Sequence, residues 1–181
     1  MITEWRNDLR LDALMNEYIK LIEANMHSSR HIVITGGRGS GKTTLLNEIR
    51  DRLMSADFTP GLVTWAEPGK GVFMKGLGCA ESVAVGEFDP TSTSKENRMK
   101  PVPGGFDIAG VSILNKLINS DSEWVTIDEI GYLEGSSPSF LIKINELFDR
   151  KRVMAVVRKQ DIKHINDIIN REDAFTIDLD T

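Results

Sequence analysis

A chain of 181 residues with 40% hydrophobic content is long enough for one ordinary domain and short for two. Its 27 acidic and 22 basic side chains give a net charge of −5, and residues 161–181 hold six acids against two bases, so no basic stripe invites nonspecific nucleic-acid binding. Cys79 is the single cysteine, which excludes an internal disulfide framework; with neither a long apolar run nor a basic-then-apolar leader, the expectation is a soluble, cytoplasmic protein with no membrane and no nucleic-acid partner.

Residues 1–26 read as a helix, because Leu11, Leu14, Met15, Tyr18 and Ile22 recur at steps of three and four with Glu17, Lys20 and Glu23 opposite. Such a stripe needs a surface to cover: first the protein's own sheet, otherwise a protein partner or self-association with a second copy. Residues 31–46, HIVITGGRGSGKTTLL, then carry the strongest local signal. An apolar strand enters a loop with glycine at 36, 37, 39 and 41, followed by Lys42, Thr43 and a helix whose first apolar residues are Leu45 and Leu46. This is GxxxxGK[ST] in its strand-loop-helix setting. Glycines let the backbone curl until several N–H groups point at one anion, and the helix start adds its positive dipole end. The expected ligand is ATP, GTP or another nucleoside triphosphate, bound by Gly36, Gly37, Arg38, Gly39, Ser40, Gly41, Lys42, Thr43 and Thr44. Lys42 reaches the β- and γ-phosphates, and the Thr43 hydroxyl is placed for the accompanying Mg²⁺.

The helix runs to about Met54 and breaks within 55–60. Residues 61–65 are strand-like, and the glycine-rich stretch 67–87 has β-type pieces at 72–74 and 82–85 that point to one or two hairpins. Residues 89–105, with three prolines, two glycines and Lys95, Arg98 and Lys100, read as a mobile loop, and in a sharper form as a lid that brings a cation toward the phosphates. Residues 106–119 have helical spacing. Residues 124–127 form a nearly unbroken apolar run, the mark of a strand buried on both faces in a parallel sheet. A helix at 139–150, a strand at 152–157, a helix at 161–170 and a strand at 174–179 complete the alternation. The fold class is therefore α/β, a mainly parallel sheet flanked by helices, with 1–181 as one domain. His27, His31 and His164 lack the spacing of a metal site and read as structural or surface residues.

The run WVTIDEIG at 124–131 supplies the second half of the site. Ligands of such sheets bind beyond the carboxyl ends of the strands, which sets Asp128 on the same rim as Lys42 and Thr43, positioned to hold Mg²⁺ through water. Side chains alternate along a strand, so Glu129 faces away from Asp128 unless the strand turns at its end; there it orients or deprotonates an attacking water. Charge building on the transferring phosphoryl group requires another cation, and Arg158 at the end of the following strand leads over Arg38 in the loop and Arg98 in the lid. The catalytic set is thus Lys42, Glu129 and Arg158, and the metal set is Thr43 and Asp128. Asp128 to Gly131 also fits the DxxG of small GTPases, but the guanine-reading NKxD is missing: Asn115-Lys116 lies upstream of the acid and is followed by Leu117-Ile118. No LSGGQ-type sequence precedes the acidic strand.

Taken together, GGRGSGKTTLL, the GLVTW strand with its glycine-rich sequel, VGEF at 85–88, IDEIGYLE at 127–134 and VMAVVR at 153–158 resemble the small nucleoside-triphosphatases first described from thermophiles, also called cancer-related nucleoside-triphosphatases. The resemblance spans roughly residues 30–179. That family's acidic strand typically reads DEIGKMEL, matched here at Asp128, Glu129, Ile130, Gly131 and Glu134, with Tyr132 in place of the lysine and Leu133 in place of the methionine. The resemblance implies a P-loop NTPase with a RecA-like sheet and a small β-hairpin insertion, and slow, Mg²⁺-dependent hydrolysis of several NTPs to NDP and phosphate. Its members usually begin near the phosphate loop, so residues 1–29 are expected to be an added amino-terminal helix. A helix leading into RHIVITGGRGSGKTTLL is also similar to the entry of AAA-type and signalling ATPases, whose carboxyl-terminal helical lid domain is missing here. Two rival readings stay open: a P-loop kinase that closes 89–105 over a small acceptor, and a nucleotide-controlled binding module whose amino-terminal helix contacts a partner.

Overall fold

The computed structural model describes residues 2–54, 59–93 and 98–180, with side chains from residue 12 onward. The side chain of Leu11, Lys95 and most of the expected break at 55–60 lie outside the described residues. The chain runs α1 (Ile2–Asn25), β1 (His31–Gly36), α2 (Lys42–Leu53), β2 (Gly61–Glu67), β3 (Gly71–Gly76), β4 (Val83–Phe88), β5 (Met99–Pro101), α3 (Val111–Ile118), β6 (Trp124–Ile130), α4 (Pro138–Arg150), β7 (Arg152–Arg158), α5 (Lys163–Ile169) and β8 (Ala174–Asp178). A π-helical turn, Gly105–Gly110, leads into α3, and a 3-10 turn, Leu133–Ser136, follows β6.

The strands form a single sheet in the order β5-β4-β3-β2-β6-β7-β1-β8. β2, β6, β7, β1 and β8 are parallel neighbours, as the alternation of strands and helices predicts. β3, β4 and β5 extend the β2 edge in antiparallel pairs, so the expected hairpin insertion is a continuation of the same sheet. Gly69, at φ 75°, makes the left-handed bend of the β2–β3 turn.

Period-two alternation divides the core between the faces. Ile32, Ile34, Met154 and Val156 pack with α1 and α2, while Val33, Val153, Ala155 and Val157 pack with α3, α4 and α5. β6 is buried at the centre, between β2 and β7, as its apolar run requires. The stripe of α1 closes on this chain's own α2: Ile19 and Ile22 are buried, with Met15, Tyr18 and Met26 beside them. Leu14, expected on that stripe, is 45% exposed, because the buried line follows 15, 18, 19, 22 and 26.

Part of the expected 89–105 loop is strand. Met99–Pro101 pairs with β4, and one phenol holds it there: the Met99 N–H donates to Tyr132 Oη (3.0 Å), and that hydroxyl donates to the Met99 carbonyl (3.2 Å). His31 is a core residue, its Nδ1 accepting from the Val153 N–H (3.2 Å) and its Nε2 3.3 Å from Asp173. Burial lowers its pKa to about 4 despite Asp173. His164 Nε2 meets the Gly131 carbonyl at 2.8 Å. No described helix is long and apolar enough to cross a membrane.

Candidate active site

The loop between β1 and α2 turns on Gly39 and Gly41, at φ 80° and 92°, where a Cβ would be strained. Gly41 caps α2, its carbonyl accepting the Leu45 N–H (2.9 Å). Lys42 opens the helix and is 7% exposed. Its ammonium donates to the carbonyls of Gly36 (3.0 Å) and Gly37 (2.6 Å) and lies 3.5 Å from Ser40 Oγ, which keeps the charge within the loop.

β7 stands between β1 and β6, which places the acidic strand roughly 10 Å from the loop strand. The helix start bridges that gap. Thr43 Oγ1 donates to Asp128 Oδ1 at 3.1 Å, a contact between residues 85 positions apart. Burial pushes the Asp128 carboxyl up to about 6; the Thr43 hydrogen bond opposes this, Glu129 adds to it and Lys42 opposes it. Two hard oxygens at this separation fit Mg²⁺, which takes few protein ligands and completes its shell with phosphate and water.

The β6–β7 register shifts after Asp128: Asp128 pairs with Val156 and Ile130 with Val157, so Glu129 is an extra residue and the alternation resets at this position. That irregularity lets Glu129 share the rim with Asp128. Its carboxylate forms an ion pair with Arg158 Nε, and Arg158 lies level with Gly36 in the β1–β7 register. Loop, Glu129 and Arg158 line one cleft of about 590 Å³. Gly36, Gly37, Arg38, Gly39, Gly41, Lys42, Thr43 and Thr44 all face it; Ser40 lies against Lys42 instead, and Arg98 lines an adjoining cavity.

Sequence reasoning passed over several neighbours. Lys159 and Gln160 line the same cleft, and their position directly after Arg158 was a signal for them. Asp180 had none: both its carboxylate oxygens accept from the Gly37 N–H (3.0 and 2.9 Å), and Lys159 ties it to Asp178. Glu134, a match to the family's acidic-strand motif that the sequence left without a role, is buried under the turn after Glu129, accepts the Gly131 N–H (2.9 Å), and is pushed up to about 7 by burial.

Residues 78–181, more than half of the chain, match a family model described as NTPase. The chain belongs to the NTPase family. Residues 11–102, which contain the phosphate loop, match a second family model, described as the KAP family P-loop domain. Among curated proteins it is similar to the Nucleoside-triphosphatase THEP1 of Thermotoga sp. (strain RQ2), 28% identical over 152 residues, covering 82% of this chain and 85% of the relative. The protein of the same name from Archaeoglobus fulgidus is 23% identical over 141 residues, covering 78% and 84%. The crystal structure of THEP1 from the hyperthermophile Aquifex aeolicus shares the fold, with a TM-score of 0.65 at 23% identity, covering 82% of this NTPase and 89% of that chain.

Proposed function

We propose that this NTPase-family chain hydrolyses nucleoside triphosphates to diphosphate and phosphate with Mg²⁺, slowly and with little preference among bases. One observation carries the reading: the Thr43–Asp128 contact joins the phosphate loop to the acidic strand, with Glu129 and Arg158 in the same cleft. The loop N–H groups and Lys42 hold the β- and γ-phosphates. Thr43 and Asp128 would hold Mg²⁺, which neutralises charge on the phosphate oxygens. Glu129 takes a proton from water as its oxygen bonds to phosphorus and the β–γ bridge breaks, and Arg158, paired with Glu129, offers its cation to the developing charge. Low base preference is what the family resemblance and the name borne by the relatives support; the missing guanine motif removes only the case for guanine selectivity. That name also disfavours the kinase and binding-module readings. The chain works in this reading as one cytoplasmic domain; contact with a protein partner or a second copy through α1 would fall to its outward Leu14 and Leu21, both 45% exposed.

Phosphate release from ATP, GTP, CTP and UTP, with and without Mg²⁺, tests it. All four are expected to turn over, only with the metal, and Lys42→Ala abolishes both turnover and nucleotide uptake. Failure of calorimetry to detect binding of any nucleotide overturns the reading.

A further inference from the structure

Beside the triphosphate cleft lies a second cavity of about 220 Å³ that shares Arg38, Glu129 and Arg158 with it. Its lining residues include two aromatics, Trp65 from β2 and Tyr132 from the turn after β6. Both are held in place. Trp65 stacks on Phe73 (centroids 6.0 Å apart, planes 29° apart) and donates Nε1–H to Glu67 (3.1 Å), while Tyr132 is pinned by both backbone groups of Met99. Rigid rings of this kind bind a flat partner with little loss of conformational entropy.

The cations in the lining set the charge of that partner. Arg158 is already paired with Glu129, whereas exposed Arg38 and Arg98 make no ion pair or side-chain hydrogen bond among the described residues. A guanidinium offers a planar fork of donors suited to a phosphate or carboxylate. Attack by water requires neither the rings nor Arg98, which lines this cavity and not the triphosphate cleft. The cavity opens on Glu129, where that water must stand.

We propose that the Trp65–Tyr132 cavity binds a small planar ring carrying one phosphate or carboxylate, and that its occupant blocks hydrolysis by displacing water from Glu129. This rests on the hydrolytic reading of the neighbouring cleft. The probes are 5′-AMP and 5′-UMP for the phosphate source and benzoate for the carboxylate source, titrated by calorimetry into the full chain saturated with Mg²⁺ and a non-hydrolysable ATP analogue. At least one probe is expected to bind with the analogue in place and to lower kcat for ATP about tenfold without raising KM. Trp65→Ala and Arg98→Ala each weaken that probe about tenfold, the size of one ring or guanidinium contact. Arg98 is exposed, so its variant keeps the test decisive if Trp65→Ala unfolds. No probe binding to the loaded protein, inhibition competitive with ATP, or binding that survives both substitutions overturns the proposal. Normal hydrolysis without probe binding overturns the cavity assignment alone; probe binding that persists in a chain hydrolysing no triphosphate supports the cavity and overturns the hydrolytic reading.

Discussion

Glu129 depends on a single irregularity in the ladder. With regular β6–β7 pairing it would point to the opposite face from Asp128; as the extra residue of a shifted register it meets Arg158 inside the cleft. Glu129→Gln keeps the shape and removes the group that accepts the proton in the proposed reaction. Its kcat is expected to fall by about 10²–10⁴-fold, while calorimetry shows ATP·Mg²⁺ still bound at close to wild-type affinity. Unchanged turnover would assign the water to another base. Lys42 differs in kind: the loop's own carbonyls hold its ammonium, and in the proposed reaction its loss removes charge from the binding step itself.

At the scale of elements, α1 and β5 show how non-local contacts complete pieces whose local sequence is ambiguous. α1 has an apolar stripe and no partner in its own segment; Ile19 and Ile22 find one on α2. Ile22→Ala, at a fully buried position, should cost about 2–5 kcal/mol in urea denaturation. A loss near zero would mean that α1 is not docked in solution. β5 is three residues long, lies at the sheet edge and is held by a phenol 33 positions away. Tyr132→Phe should cost about 1 kcal/mol and speed hydrogen exchange at the Met99 amide, with the sheet centre unaffected.

Across the whole molecule, three buried titrating groups, Glu134, Asp128 and His31, set how stability changes with pH. Glu134 has a folded pKa of about 7, above its ordinary 4.5, so the folded chain holds the extra proton between those values and stability from this group falls as pH rises. His31 is lowered from 6.5 to about 4, so the unfolded chain holds the extra proton there and stability rises with pH. Asp128, raised from 3.8 to about 6, adds to the fall from Glu134, so His31 offsets only part of it. Glu134→Gln removes one of the three: relative to this variant, the wild type should lose stability, of order 3 kcal/mol, between pH 5 and pH 8. Equal pH dependence in the two proteins would refute the buried acid. The phosphate loop, the central acidic strand and the α/β alternation were legible because each is written in contiguous residues: glycine spacing, an unbroken apolar run, and a change of period from two to 3.6. The Leu14 misplacement, the β5 pairing, the Asp180 contact with Gly37 and the Trp65–Tyr132 cavity were not, since each depends on which distant surface a segment meets. The sequence by itself determined that a triphosphate cradle and an acidic strand end would exist. Only the tertiary structure decided that Thr43 touches Asp128 and that Glu129 turns to Arg158, because a one-residue slip between two strands is a property of their pairing and is encoded in neither strand alone.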